Sequence, residues 1–171
     1  MKTIKMRFLI IGFLAVIGVT FQGCGGPSSY FENAGDTENL EMVSLIGTDE
    51  NFSTFTNLAR TSGLDLKLNF TEPVTLFVPT NEAFEEMPRD QYNSLVDPAN
   101  RAELTSFLQR HIIPTKVYES QFNTLQVIET AVEEEIPVST GLQGKAIYIG
   151  GAQIIQSDIE TSDGIIHIVN S

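Results

Sequence analysis

Histidine and cysteine are the side chains best suited to nucleophilic or metal chemistry, and this chain has only three of them: His111, His167 and Cys24. A zinc site takes three or four His, Cys or carboxylate ligands, so two histidines far apart in sequence make a poor candidate. A histidine-dependent hydrolase would need one of them beside a serine and a carboxylate, but no G-x-S-x-G or H-E-x-x-H sequence is present. We therefore expect no catalytic residue, metal or cofactor, and we expect His111 to be a core histidine with satisfied ring nitrogens.

Two runs of glutamate are the remaining candidates for ion binding. Glu133 to Glu135 could suggest calcium, but no D-x-D-x-D-G loop accompanies them. We interpret this run as a solvated strand edge, where charge discourages pairing with other chains. Glu85 and Glu86 are expected on an exposed helix face.

The first 23 residues have the pattern of a secretory signal peptide. Lys2, Lys5 and Arg7 precede an apolar stretch from Phe8 to Val19. That stretch is about 12 residues long, whereas a membrane-spanning helix needs about 20. The sequence therefore predicts a removable signal over residues 1–23 and an exported protein.

The sequence around Cys24, T-F-Q-G-C, resembles a bacterial lipobox. The resemblance implies cleavage before Cys24 and acylation of its thiol and amino groups, and two or three acyl chains anchor a protein stably. The alternative is an unmodified cysteine near an ordinary cleavage site. Gly25, rather than Asp, follows the anchor, which favours the outer membrane over the inner membrane. We expect an exported protein of the bacterial cell envelope, lipid-anchored at Cys24.

The charge balance excludes whole classes of partner. The chain has a net charge of −12, and after residue 23 it keeps 7 Lys and Arg against 22 Asp and Glu, a net charge of −15. Such a surface repels phosphate backbones and anionic bilayers, so we expect no nucleic acid partner and no electrostatic membrane docking. The remaining 148 residues have the length of one domain.

Composition and periodicity predict helices in the first half of the domain. Residues 24–36 are rich in Gly, Ser, Pro and Asn and predict a flexible tether before a domain over 37–171. A second helix, capped at Thr48, is expected to end at Gly63. A strand is expected over Val74 to Val78. Asp97 and Pro98 are expected to start a further helix that ends near Arg110. The apolar residues with helical spacing are Leu40, Val43 and Leu45 in a first short helix, Phe52, Phe55, Leu58 and Ala59 in the second, and Ala102, Leu104, Phe107 and Leu108 in the last.

The second half changes to the period of strands. Turn formers at Gly141, Gly150 and Gly151, and Asp163 and Gly164 divide it. The strands are expected at 136–138, 146–149, 153–155 and 165–169. Helices followed by strands predict an α+β fold.

Three segments in this order resemble the fasciclin domain family. They are Thr75 to Pro88 (TLFVPTNEAFEEMP), Leu108 to Val117 (LQRHIIPTKV) and Asp158 to Asn170 (DIETSDGIIHIVN). In the second, Arg110 stands where the family has Tyr. The matching residues of the first and third segments are Thr75, Phe77, Pro79, Thr80, Asn81, Ala83, Phe84, Asp163, Gly164 and His167.

These matching residues have a structural interpretation. Phe77 is expected in the core, Thr80 should cap a helix that buries Ala83 and Phe84, and Asn81 should face the positive end of that same helix. Asp163 and Gly164 should form a tight turn. After it, Ile166 and Ile168 should lie on the opposite face from His167.

The resemblance implies a fasciclin-like fold, a β-sandwich or wedge of two sheets flanked by several helices, and a non-enzymatic adhesion or binding module with protein or glycan partners at the cell surface. The residues that it makes candidates for partner binding are Arg110, His111, Tyr118, Asp158 and Ile159. The alternative is a periplasmic carrier or scaffold subunit that binds a small apolar ligand or an envelope protein. A dry pocket lined by Phe and Met, larger than about 300 Å³, would favour that alternative.

Overall fold

The structure is a computed structural model and describes residues 30–31, 40–63, 72–141 and 146–170. The predicted signal peptide, Cys24 and most of the predicted tether lie outside the described residues. Within the described ranges, every helix is too short or too polar to cross a bilayer.

The first helices follow the predicted apolar spacing, but one cap differs. Helix α1 spans Met42–Ile46, and a 3-10 turn, Glu50–Phe52, leads into α2, Ser53–Ser62. Gly63 ends α2 in the left-handed region, as predicted (φ 68°). Thr48 is not the cap, because its hydroxyl donates to the carbonyl of Leu45 (2.6 Å). Asp49 takes that place and accepts the amide of Asn51 (2.9 Å).

Three further helices precede most of the sheet: α3 (Asn81–Glu86), α4 (Arg89–Val96) and α5 (Arg101–Arg110), with a 3-10 turn at Pro98–Asn100. Asp97 caps this turn through the amide of Ala99 (2.8 Å), which confirms the predicted start signal. Helix α4 was not predicted. It buries only Leu95, so its sequence has no apolar stripe of helical period.

Seven strands form one continuous sheet in the order β2-β1-β7-β6-β5-β4-β3. Strands β1 and β7 pair in parallel, and all other neighbours are antiparallel. The sheet curls into a near-barrel beside the helices, which confirms the α+β class. Strands β2 and β3 are only two and three residues long and were not predicted. The bounds are β1 Val74–Pro79, β2 Ile112–Ile113, β3 Val127–Glu129, β4 Glu135–Thr140, β5 Ile147–Ile149, β6 Ala152–Thr161 and β7 Gly164–Asn170.

Strand β7 is buried on both faces and separates two apolar clusters. Ile166 and Ile168 pack on the cluster that contains the helices. Val169 packs with Phe77 on the other cluster, and the ring of His167 stacks on Phe77 on that side. The predicted alternation along this strand is confirmed, and it puts His167 on the face away from the helices.

The turn before β7 depends on a glycine. Gly164 has φ 153°, and a Cβ atom there would lie 1.9 Å from the carbonyl oxygen of Val74. The side chain of Asp163 ties the turn to α1, because its Oδ1 accepts the amide of Met42 (2.9 Å). Glycine is needed here for close approach of the two backbones as well as for the turn.

Two residues of the predicted tether contact the domain. The side-chain amide of Gln156 accepts the N–H of Tyr30 (2.6 Å) and donates to its carbonyl (3.0 Å). The rings of Tyr30 and Phe31 lie 5.0 and 5.3 Å from the ring of Phe52. These contacts form because two aromatic rings among small polar residues supply apolar surface to bury.

Candidate functional site

The three motifs meet at the loop that follows β2. The hydroxyl of Thr75, on β1, donates to the carbonyl of Thr115 (2.7 Å) and accepts the amide of Val117 (2.8 Å). The Nε2 atom of His167, on β7, lies 2.9 Å from the carbonyl oxygen of Val117. Both side chains are fully buried. Two adjacent strands therefore hold the backbone of residues 115–117 against the sheet.

The surroundings of His167 keep its ring neutral. Nδ1 accepts the amide of Asp158 (3.3 Å), so the proton lies on Nε2, which donates to Val117. The ring lies 5.5 Å from that of Phe77 and 5.4 Å from that of Phe122. Burial lowers the pKa of His167 and outweighs the bond to Val117 and the nearby carboxylates, which favour the charged form.

A β-bulge in β6 positions Asp158 beside the held loop. The pairing of β6 with β7 is irregular between Gln156 and Ile159, and Asp158 adopts a left-handed conformation (φ 57°). Its Oδ1 accepts the amide of Glu119 (2.7 Å). The hydroxyl of Ser157 donates to the carboxylate of Glu119. The bulge and the loop are thus joined at the protein surface.

The exposed part of the loop carries a small network of charged and aromatic groups. The hydroxyl of Tyr118 donates to Glu160 Oε1 (3.1 Å), and the ammonium group of Lys116 donates to Glu160 Oε2 (3.3 Å). The Lys116 ammonium also lies 5.1 Å from the centre of the Tyr118 ring. The hydrogen bond with Tyr118, followed by the bond and attraction to Glu160, raises the pKa of Lys116. We call the surface formed by Lys116, Tyr118, Glu119, Asp158 and Glu160 the loop surface.

The structure divides the five sequence-predicted partner residues into three groups. Tyr118 and Asp158 lie on the loop surface. Ile159 packs in the core with its side chain 8% exposed, so it offers little area to a partner. Arg110 and His111 lie at the end of α5, where the exposed Arg110 forms an ion pair with Glu134 (2.5 Å).

His111 lies half-buried at the end of α5, with its ring against two aromatic side chains. Its Nδ1 donates to the carbonyl of Phe107 (2.8 Å), and its ring lies 4.7 Å from the ring of Phe107 and 5.8 Å from that of Phe55. Burial lowers the pKa of His111 more than this hydrogen bond raises it. Among the described residues, neither histidine hydrogen-bonds to a serine or a carboxylate, and no three His, Cys, Asp or Glu side chains lie close enough to hold a metal ion.

Asn81 has a role that sequence reasoning missed. Thr80 caps α3 through the amide of Ala83 (3.4 Å), as predicted, and Phe84 is buried while Ala83 is half-buried. Asn81 does not face its own helix. Its Oδ1 accepts the amide of Thr54 (3.0 Å) at the start of α2, and its Nδ2 donates to the carbonyl of Glu50 (2.8 Å). No local sequence pattern marks this cap, because α2, the helix that Asn81 caps, begins 28 residues before Asn81 in the chain.

Beside Asn81 lies an open cleft of about 540 Å³ between the start of α2 and helices α3 and α4. Its lining mixes apolar and polar side chains and contains one Phe and one Met. It exceeds the volume set for an apolar carrier pocket, but it is open, its lining is partly polar, and it contains a single Phe. The lining residues are Thr54, Asn81, Phe84, Glu85, Met87, Arg89, Tyr92 and Asn93.

Comparison with known proteins supports the architecture. The sequence profile of the fasciclin domain matches residues 50–171. Protein sll1483 of Synechocystis sp. is 27% identical over 97% of this chain and 96% of its own length. Transforming growth factor-beta-induced protein ig-h3 of Sus scrofa is 24% identical over 76% of this chain and 18% of its own length. A solved FAS1 domain pair from the insect cell adhesion molecule fasciclin I superposes with a TM-score of 0.56 at 19% identity, covering 77% of this chain and 50% of that one.

Proposed function

This chain belongs to the fasciclin domain family, and from that premise we propose that it is a non-enzymatic binding module of the bacterial cell envelope. In this proposal a lipid on Cys24 anchors the domain, and the domain contacts a protein or glycan partner at the cell surface. Fasciclin domains occur in adhesion and binding proteins. The loop surface is the part of this chain that we assign to partner contact.

The observation that carries the proposal is the way in which the loop surface is held. Thr75 and His167 fix residues 115–117 from below, and the bulge at Asp158 fixes Glu119 from the side. Binding residues are commonly found on loops positioned by a rigid scaffold, because little conformational entropy is then lost on binding. Tyr118 supplies an aromatic ring with a polar group, a residue type enriched at interfaces.

The non-enzymatic part of the proposal is supported by the two histidines. Each ring nitrogen that hydrogen-bonds within the described residues does so with the backbone, and each ring is packed among aromatic rings. A general base must instead reach the proton of a nucleophile or a substrate. Both ring nitrogens of His167 and the Nδ1 atom of His111 are held by backbone groups.

Protease shaving of intact cells tests the anchor and the exposed location. The wild-type chain should incorporate lipid label and be shaved from the surface, and Cys24→Ala should be released unlabelled. A chain that is labelled but protected until the outer membrane is opened would contradict surface adhesion. That outcome would favour the alternative, a periplasmic carrier or scaffold.

Cell-adhesion assays with surface variants test the site. We expect the double variant Tyr118→Phe with Asp158→Asn to lose attachment, because it removes a hydroxyl and a charge but keeps the left-handed backbone, which Asn tolerates. Asp90→Asn, an exposed acid on α4, is the matched control. Equal attachment by the double variant and the control would show that the loop surface does not contact the partner.

A further inference from the structure

The cleft between α3 and α4 has an apolar floor. Phe84 is buried in it, and the half-buried Tyr92 meets Phe84 edge to face, with the ring centres 6.5 Å apart. Met87 lies between these two helices and is also half-buried. The floor thus offers the ring of Tyr92 and the thioether of Met87 as apolar surface.

Three polar side chains stand on one side of this floor. Arg89, Tyr92 and Asn93 occupy positions i, i+3 and i+4 of α4 and therefore share a face. Within the described part of the chain, the Arg89 guanidinium, the Tyr92 hydroxyl and the Asn93 amide make no hydrogen bond or ion pair. Together they offer several N–H and O–H donors, and the amide and hydroxyl oxygens also accept.

The opposite side of the cleft is already ordered. Asn81 is fixed by its bonds to Thr54 and Glu50, and Glu85 is exposed at the rim. Donors on α4 and the carboxylate of Glu85 on α3 thus line the same cleft. A ligand that both donates and accepts hydrogen bonds fits this arrangement better than a hydrocarbon does.

The charge of the cleft narrows the ligand class further. Among the described residues, Arg89 and Glu85 are the charged ones that line the cleft, and they carry opposite charges. An anion would meet one cation in the field of a chain with a net charge of −12, and a cation would meet the unpaired Arg89. The lining therefore favours a ligand without net charge.

We infer that this cleft binds a neutral saccharide unit. A pyranose ring has an apolar C–H face that can lie on Tyr92 and a rim of hydroxyls that donate and accept together, which Arg89 and Asn93 can bind in pairs. The inference goes beyond the proposed function, which assigns partner contact to the loop surface. It concerns a different surface from the loop surface and is independent of the lipid anchor.

Calorimetric titration of the full chain in detergent tests this inference. The probes are three neutral tetrasaccharides, namely cellotetraose, maltotetraose and tetra-N-acetylchitotetraose. The charged probes are tetragalacturonate, which is anionic, and the deacetylated chitotetraose, which is cationic. At least one neutral probe should bind with a Kd below about 1 mM, and both charged probes should bind about tenfold more weakly or not at all.

Matched variants locate the binding. Arg89→Ala and Asn93→Ala should each weaken it about tenfold, and both side chains are exposed, so the fold should be retained. Arg101→Ala removes an exposed arginine from α5, outside the cleft, and should bind as the wild type does. The inference is wrong if no neutral probe binds, if a charged probe binds as tightly, or if the cleft variants bind normally. None of these outcomes alters the shaving result, so the two proposals can fail separately.

Discussion

His167 Nε2 donates a hydrogen bond of 2.9 Å to the carbonyl oxygen of Val117, and this bond joins the last strand of the sheet to the loop after β2. The other ring nitrogen accepts the amide of Asp158. A second ring proton would point at that amide N–H. The geometry therefore requires the neutral ring with its proton on Nε2.

The first prediction concerns the pH dependence of stability. Burial lowers the pKa of His167 below 6.5, the value of an exposed histidine, so the unfolded chain takes up a proton at higher pH than the folded protein does. The free energy of unfolding should thus be highest above pH 6.5 and should fall as the pH drops below it, by at most about 1.4 kcal/mol per pH unit for this residue.

Urea unfolding between about pH 7.5 and 5.5 measures this effect. Most carboxylates titrate below that pH range, so they contribute little to the change in stability within it. His167→Gln should be less stable at neutral pH and should show a smaller loss on acidification. The remaining loss is expected from His111, whose pKa burial also lowers. An unchanged slope in His167→Gln would contradict this assignment.

The second prediction concerns Thr75. Thr75→Val keeps the buried shape but removes the hydroxyl that bridges Thr115 and Val117. The Val117 amide then lacks its partner, and we expect a loss of about 1–3 kcal/mol in the free energy of unfolding. Thr105→Val is the control, since its hydroxyl bonds only to the carbonyl of Arg101 in its own helix. A loss no larger than that of Thr105→Val would show that the two hydrogen bonds of the Thr75 hydroxyl do not stabilise the protein.

The third prediction separates the two hydrogen-bonding roles of Asn81. Asn81→Ala removes the cap on α2 and the bond to Glu50, and should cost about 1–2 kcal/mol. Asn81→Asp keeps an acceptor for the Thr54 amide at the positive end of α2 and should cost less. Thermal unfolding of both variants decides the question. Equal losses would place the stabilisation in the bond to Glu50 instead.

The fourth prediction compares two glycines. At Gly164 an added Cβ would collide with the Val74 carbonyl, whereas at Gly63 it would meet no atom within 4 Å. Gly63→Ala should therefore cost about 1 kcal/mol from backbone conformation alone. Gly164→Ala should cost at least about 3 kcal/mol, because the β1 and β7 backbones must separate. Chemical denaturation of both variants measures the difference, and similar losses would mean that the strands shift without cost.

The elements that sequence reasoning found are those with a strong local signal. The strand at β1 is bounded by prolines, the turn at Asp163 and Gly164 is flanked by alternating isoleucines, and Gly63 ends a helix with a regular apolar stripe. Helix α4 buries only Leu95 and has no such stripe. Strands β2 and β3 are too short to show a period.

The site was less predictable than the fold, because its contacts join distant parts of the chain. Asn81 was assigned to its own helix, whereas it caps a helix from the preceding segment. Ile159 was grouped with Asp158 as a contact residue. The bulge in β6 instead turns Ile159 into the core and Asp158 outward. The resemblance to the family identified the motifs, and only the structure showed that they meet at residues 115–117.

The position of β7 inside the sheet has a consequence for when the protein folds. Val74 pairs with Gly164, 90 residues further along the chain, and β7 lies between β1 and β6. During synthesis, β1 therefore cannot pair with its parallel neighbour until residues 164–170 have emerged. Such long-range pairing forms slowly, because the long loop between the two strands must close first. For a chain exported as proposed, we expect this delay to leave the sheet open until β7 has crossed the membrane.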